Sequence, residues 1–239
     1  PSAILRDLGK AVILAAQELV DELGRDIPVI SCHQHFLSDV GEDLLEVSHD
    51  ALRDLFRSFE IRARLRTLAR DLGRQLGEKL LTLRDEVTTW TEGSTEHELP
   101  NGPAGFATVR SLAQWVLDYP SDGDHLDFPF DRPYLDLYER CRTVRRATDA
   151  FLRRPPGHGA ARRPLERLAR ILDPVVADSS FCQVAKTLSY RAKLFDELRE
   201  TLRLSPETRM RGGLDSNALP PEEASAELRD IQKALKALT

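Results

Sequence analysis

Three groups of residues have the types and spacing to do chemistry. The first is Asp7 in Asp7-Leu8-Gly9. A carboxylate beside a glycine can hold a hard cation such as Mg²⁺, and an Asp just before a helical pattern is equally an N-cap. The second is Cys32-His33-Gln34-His35, which offers sulfur and imidazole ligands. Structural zinc takes four ligands, and no second Cys/His pair stands at suitable spacing. A buried Cys32 with a hydrogen-bonded His35 is the alternative, and a Cys/His nucleophile lacks a visible partner acid. The third is a run of arginines: Arg140, Arg142, Arg145, Arg146, Arg153, Arg154, Arg162, Arg163, Arg167 and Arg170, against Glu139, Asp149 and Glu166. It is either a phosphate-tracking surface or a set of solvated helix faces pairing with the acidic loop from Asp122 to Asp131. Glu139 is also a candidate acid, lying on a helix beside Arg140 and Arg142, or else an ordinary solvated residue. Asp122-Gly-Asp124-His-Leu-Asp127 lacks EF-hand spacing and is read as a turn, and Glu96-His97-Glu98 as a solvated loop.

The elements that position these groups follow from periodicity. Leu8, Val12, Ala15, Leu19, Val20 and Leu23 recur at helical spacing and Gly24 stops them, while Val29-Ile30 with Cys32 suits a short buried parallel strand. Ile4 and Leu5 lead into Asp7 as an earlier strand. Such a βαβ unit puts Asp7 and Cys32–His35 at carboxyl ends of neighbouring strands, the edge where open α/β sheets gather active groups. After about residue 48 the pattern is helix and loop. Ser48 is a plausible N-cap for Leu52, Leu55, Phe56 and Phe59. Ile61, Leu65, Leu68, Leu72, Leu76 and Leu80 make a second helix, and a loop is expected from Thr88 to Gly105. Phe106, Val109, Leu112, Ala113 and Val116 make a third helix. Pro133 opens one lined by Tyr134, Leu137, Tyr138, Cys141, Val144 and Phe151. Leu165, Leu168 and Leu172 belong to a helix expected to end before Pro174. Phe181, Val184, Leu188, Phe195, Leu198 and Leu202 line a long one, with Cys182 on an apolar face. Ala224, Leu228, Ile231, Leu235 and Leu238 line the last.

Composition bounds the class. The 239 residues are 41 % apolar and 31 % charged with net charge −5, a helix-rich globular balance that excludes a wholly basic nucleic-acid coat. No apolar run approaches the ~20 residues of a membrane span. Three widely spaced cysteines exclude a disulfide framework and make a reducing cytosol the default. Of 34 basic residues 28 are arginine, the side chain suited to forked phosphate contacts. The chain opens at Pro1 with its single Met at position 210, and the final helix shows no C-terminal cap signal. Both features lead us to expect a piece of something longer.

Read together, Leu5-Arg-Asp-Leu-Gly-Lys-Ala-Val-Ile13 and Ile27-Pro-Val-Ile-Ser-Cys-His-Gln-His-Phe-Leu-Ser-Asp-Val-Gly-Glu-Asp-Leu44 resemble the DDE-type transposases of bacterial insertion sequences. In that family the second catalytic Asp ends a strand of an RNase-H-like sheet, and a Cys-x-x-His motif follows a helix and a strand later. Gln34 stands where the family pattern has an aromatic, and Ser38 where it has a basic residue. The close match covers about 40 residues. The remainder is similar only to the all-helical insertion many members carry.

The resemblance implies that Asp7 is the second catalytic aspartate and a metal ligand, and that Cys32 and His35 are the Cys/His pair. The expected fold is mostly α with a small α/β portion: a partial RNase-H-like βαβ unit over 1–47, then an all-helical insertion over 48–239. The first catalytic Asp is expected before Pro1 and the final acid beyond Thr239, with Glu139 as an internal stand-in. The complete enzyme would use two Mg²⁺ (or Mn²⁺) ions about 4 Å apart to cleave and transfer DNA strands. This piece alone would be inactive. Its partners would be transposon-end and target DNA, with further copies of itself when complete, in the bacterial cytoplasm and not at a membrane. A non-catalytic helical DNA-binding or interaction module with a degenerate βαβ remnant is the competing class.

Overall fold

The structure is a computed structural model that describes residues 4–6, 10–23, 29–31, 33–77, 102–121, 126–153, 161–201 and 221–237. These are mostly α-helical. Strand β1 (Ile4–Arg6) is followed by helix α1 (Lys10–Leu23) and strand β2 (Val29–Ser31). The two strands pair in parallel, with Ile4 opposite Val29 and Arg6 opposite Ser31. On α1 Ala16 is buried and Val20 half-buried, whereas Ala15 and Leu19, expected to face inward, are exposed.

Helix α2 (His33–Ser58) is a single 26-residue element. The expectation of a separate helix opened by Ser48 is therefore corrected, since Ser48 lies inside α2 and is buried. The physical reason is a continuous apolar stripe. Leu37, Leu45, Leu52 and Phe56 are almost fully buried at multiples of a helical turn, and no Gly or Pro falls between Glu42 and Ser58 to break it. An internal Ser costs a helix only a few tenths of a kcal/mol, far less than the ~1.5–3 kcal/mol gained per buried Leu or Phe. Glu60 ends the element in the left-handed region at φ 54°.

Helix α3 (Ile61–Gly77) buries Ile61, Leu65, Leu68, Leu72 and Leu76 of the expected stripe, and Leu80 lies outside the described residues. Helix α4 (Gly102–Leu117) starts four residues inside the expected loop, because Pro103 falls in its first turn, where a missing N–H costs nothing. A 3₁₀ turn spans Tyr119–Ser121. Helix α5 (Pro133–Arg153) opens on its proline as expected and buries Leu137, Tyr138, Cys141 and Val144. Helix α6 (Arg162–Ala177) runs through Pro174 instead of stopping before it. Ile171, Leu172 and Val175 are buried on both sides of the proline, and that burial offsets the lost backbone bond. Asp178 then ends α6 and caps helix α7 (Ser179–Thr201), its Oδ1 accepting from the Ser180 N–H at 2.8 Å. Phe181, Leu188, Phe195 and Leu198 face inward on α7, but Cys182 is exposed. Helix α8 (Pro221–Lys236) completes the described elements, with Ile231 buried and Leu228 exposed.

The chain divides into two compact units. One takes in Pro1–Val47, Leu126–Asp131 and Ser189–Thr239, the other Ser48–His125 and Arg132–Leu188. In the first, Gly41 of α2 lies against Phe195 and Pro129: an added Cβ would come within 2.7 Å of Phe195 Cε2 and closer still to the proline ring. In the second, α3 packs on α4 and α6, and α5 on α6 and α4. Phe56, Phe59 and Phe181 meet there, with ring centroids 5.0 and 5.5 Å apart around Phe181.

Candidate functional site

At the strand edge, β1 ends with Arg6 opposite Ser31 at the end of β2. Asp7 and Cys32 are next in sequence to these two residues and lie outside the described residues, as do Arg154, Glu96, His97, Glu98 and 122–125. His35 is in the first turn of α2 and is exposed. Glu139 is exposed on α5 and accepts from Arg142 Nη1 at 3.3 Å. Asp131 accepts from the Leu126 N–H at 2.7 Å and so closes a local turn. Among the described residues no group of three or more His, Cys, Asp and Glu side chains is placed to hold a metal. A lone carboxylate at Asp7 fits a hard cation in kind but does not by itself make a site.

The arginines separate into structural and exposed sets. Arg140 is buried on α5, its guanidinium 4.8 Å from the Trp115 ring centroid and donating to the Trp115 carbonyl. Arg145 is largely buried between Asp149 and Asp173, with Nη2 2.8 Å from Asp173 Oδ1. These two brace α5 against α4 and α6. Arg142 pairs with Glu139 and covers Tyr138, and Arg162 pairs with Glu166 at 2.8 Å. Arg167 reaches Asp71 of α3 at 2.9 Å. Arg146, Arg153, Arg163 and Arg170 are exposed. Arg146 contacts Thr143, and Arg170 Nε donates to the Glu166 carbonyl at 3.4 Å.

Between α3 and α6 lies an open groove of about 460 Å³, lined by Glu60, Ala63, Arg64, Thr67, Arg167 and Arg170. A second depression of about 360 Å³ shares Arg167 and Arg170 with it and adds Arg163, Asp71 and Gln75. Sequence reasoning missed the α3 side of this groove. The signal was available in part: Arg62, Arg64, Arg66, Arg70 and Arg74 stand on the faces of α3 away from its apolar stripe.

Burial sets the other titrations. It pushes the Cys141 thiol well above its usual range, so this cysteine is an inert core residue rather than a nucleophile or ligand. It also raises the Tyr138 and Tyr119 phenols and lowers the His49 imidazole. Among the described residues no helix is long and apolar enough to cross a membrane. Compared with protein families, with characterised proteins and with solved structures, the chain matches none.

Proposed function

We propose that this chain is part of an insertion-sequence transposase of the DDE type, and that Asp7 supplies one of its three metal-binding carboxylates. The observation that carries this is the parallel register of β1 and β2, with Arg6 opposite Ser31. The two residues next in sequence are Asp7 and Cys32, the same two on which the family resemblance rests. A parallel strand–helix–strand order with its chemistry at the carboxyl edge is the local geometry an RNase-H-like core uses. In this reading, residues 1–47 belong to that core and the helices after it are an insertion carrying DNA contacts. Cys32 and His35 are the Cys/His pair of that core, His35 standing in the first turn of α2. The bound metal ions, Mg²⁺ or Mn²⁺, would supply Lewis-acid and nucleophile-activating chemistry at a phosphodiester. Asp7 is a ligand and not a proton carrier, one of the three carboxylates such a site needs.

A non-catalytic DNA-binding module accounts for the exposed arginines equally well, and cleavage separates the two classes. In the complete transposase, Asp7→Ala should abolish Mg²⁺-dependent cleavage of transposon-end DNA while leaving the circular dichroism spectrum and melting temperature unchanged. Wild-type cleavage by a folded Asp7→Ala protein would remove Asp7 from the chemistry.

A further inference from the structure

Helix α6 begins against the usual electrostatic rule. Its first turn is Arg162-Arg163-Pro164-Leu165, with no acid, and Ala161 at the N-cap position makes no side-chain cap bond. A helix N-terminus carries partial positive charge and is stabilised by acids and cap acceptors. Two arginines there raise a potential that an anion would relieve. Glu166 answers Arg162, whereas Arg163 is exposed.

The groove beside this helix end is a second, independent observation. Arg163, Arg167 and Arg170 share one face of α6 and span about 10 Å along it. Arg64 of α3 stands across the same groove from Arg167 and Arg170. Together α3 and α6 hold nine arginines against Asp71, Glu166 and Asp173. Each of these acids is already engaged: Asp71 by Arg74 and Arg167, Glu166 by Arg162, and Asp173 by Arg145. Glu60 is the one further acid in the lining. Among the described residues, no carboxylate pairs with Arg64, Arg163 or Arg170.

Guanidinium groups fork onto phosphate oxygens. Single-strand binders add a row of aromatic rings on which bases stack, and among the described residues the two depressions offer only Phe106. The lining therefore suits a sugar-phosphate backbone rather than exposed bases. We propose that the α3–α6 groove docks the backbone of duplex DNA through Arg64, Arg163 and Arg170, while Arg167 ties α6 to α3 through Asp71. The choice of DNA as the polyanion rests on the transposase reading, but the groove itself does not.

The test is fluorescence anisotropy of the 239-residue chain with a labelled duplex of arbitrary sequence, across a salt series. Each phosphate contact contributes about −0.9 to the slope of log affinity against log salt, so combining Arg64→Gln, Arg163→Gln and Arg170→Gln should flatten the slope by about 2.7. All three side chains are exposed, and the melting temperature should not move. A second variant removes the same charge from α7 and α8 by combining Lys186→Gln, Lys193→Gln and Lys233→Gln, all exposed, and should leave the slope within about one contact of wild type. Equal losses in the two variants, a groove variant that binds like wild type, no duplex binding by wild type, or a preference for single strands would each overturn the proposal. A transposase that holds DNA elsewhere would still lose cleavage with Asp7→Ala, so the two failures are distinguishable.

Discussion

His49 shows how one side chain ties stability to pH. It sits on α2, buried, with its ring edge-on to Tyr134 at 5.2 Å between centroids. Desolvation lowers its pKa below the ordinary 6.5; Asp50 opposes that shift, and Arg53 and Arg132 reinforce it. The folded protein therefore keeps His49 neutral at a pH where the unfolded chain is already protonated. Unfolding then takes up a proton, so this residue's contribution to stability is complete above pH 6.5 and falls as pH drops below it. We expect urea midpoints to decline below that pH, and His49→Leu to lose that part of the decline. An identical pH profile for the variant would show that His49 does not carry it. Cys141 is a contrast at the same scale. Its burial makes it a packing residue, whereas Cys182, read from the same kind of apolar helix position, is exposed.

At the scale of elements, periodicity was the dependable signal. The spacing of Ile61, Leu65, Leu68, Leu72 and Leu76 named α3 and its inner face, because a helix buries one stripe and the stripe is written in the residue types. Cap and breaker signals were less dependable. Ser48 resembles an N-cap and Pro174 a stop, yet both lie inside helices, since packing on either side outweighs a local preference. Gly41 carries a constraint that no spacing announces. Its missing side chain admits Phe195 and Pro129, from segments far along the chain. Gly41→Ala should therefore destabilise by about 1–3 kcal/mol through overpacking, despite the better helix propensity of Ala. Chemical denaturation checks this, and a variant as stable as wild type would show that the three elements shift apart at little cost.

For the whole molecule, charge was legible in amount but not in arrangement. The arginine-rich stretch from Arg140 to Arg170 stood out in sequence, yet Arg145 and Arg167 are answered by Asp173 and Asp71. Asp71 lies 96 residues from its partner. Only folding shows which guanidinium groups are tied into packing and which stay exposed. The edge chemistry follows the opposite pattern. Asp7 and Cys32 were read from local sequence alone, and both lie outside the described residues. The central claim, that Asp7 is a metal ligand of a transposase, is most directly tested by a ligand swap in the complete protein. Mg²⁺ takes oxygen ligands and rejects sulfur, whereas Mn²⁺ is the more tolerant ion. Asp7→Cys should lose Mg²⁺-supported cleavage of transposon-end DNA and recover part of it with Mn²⁺. Cleavage at the wild-type rate with Mg²⁺, or a loss in a folded protein that Mn²⁺ leaves untouched, would contradict the account.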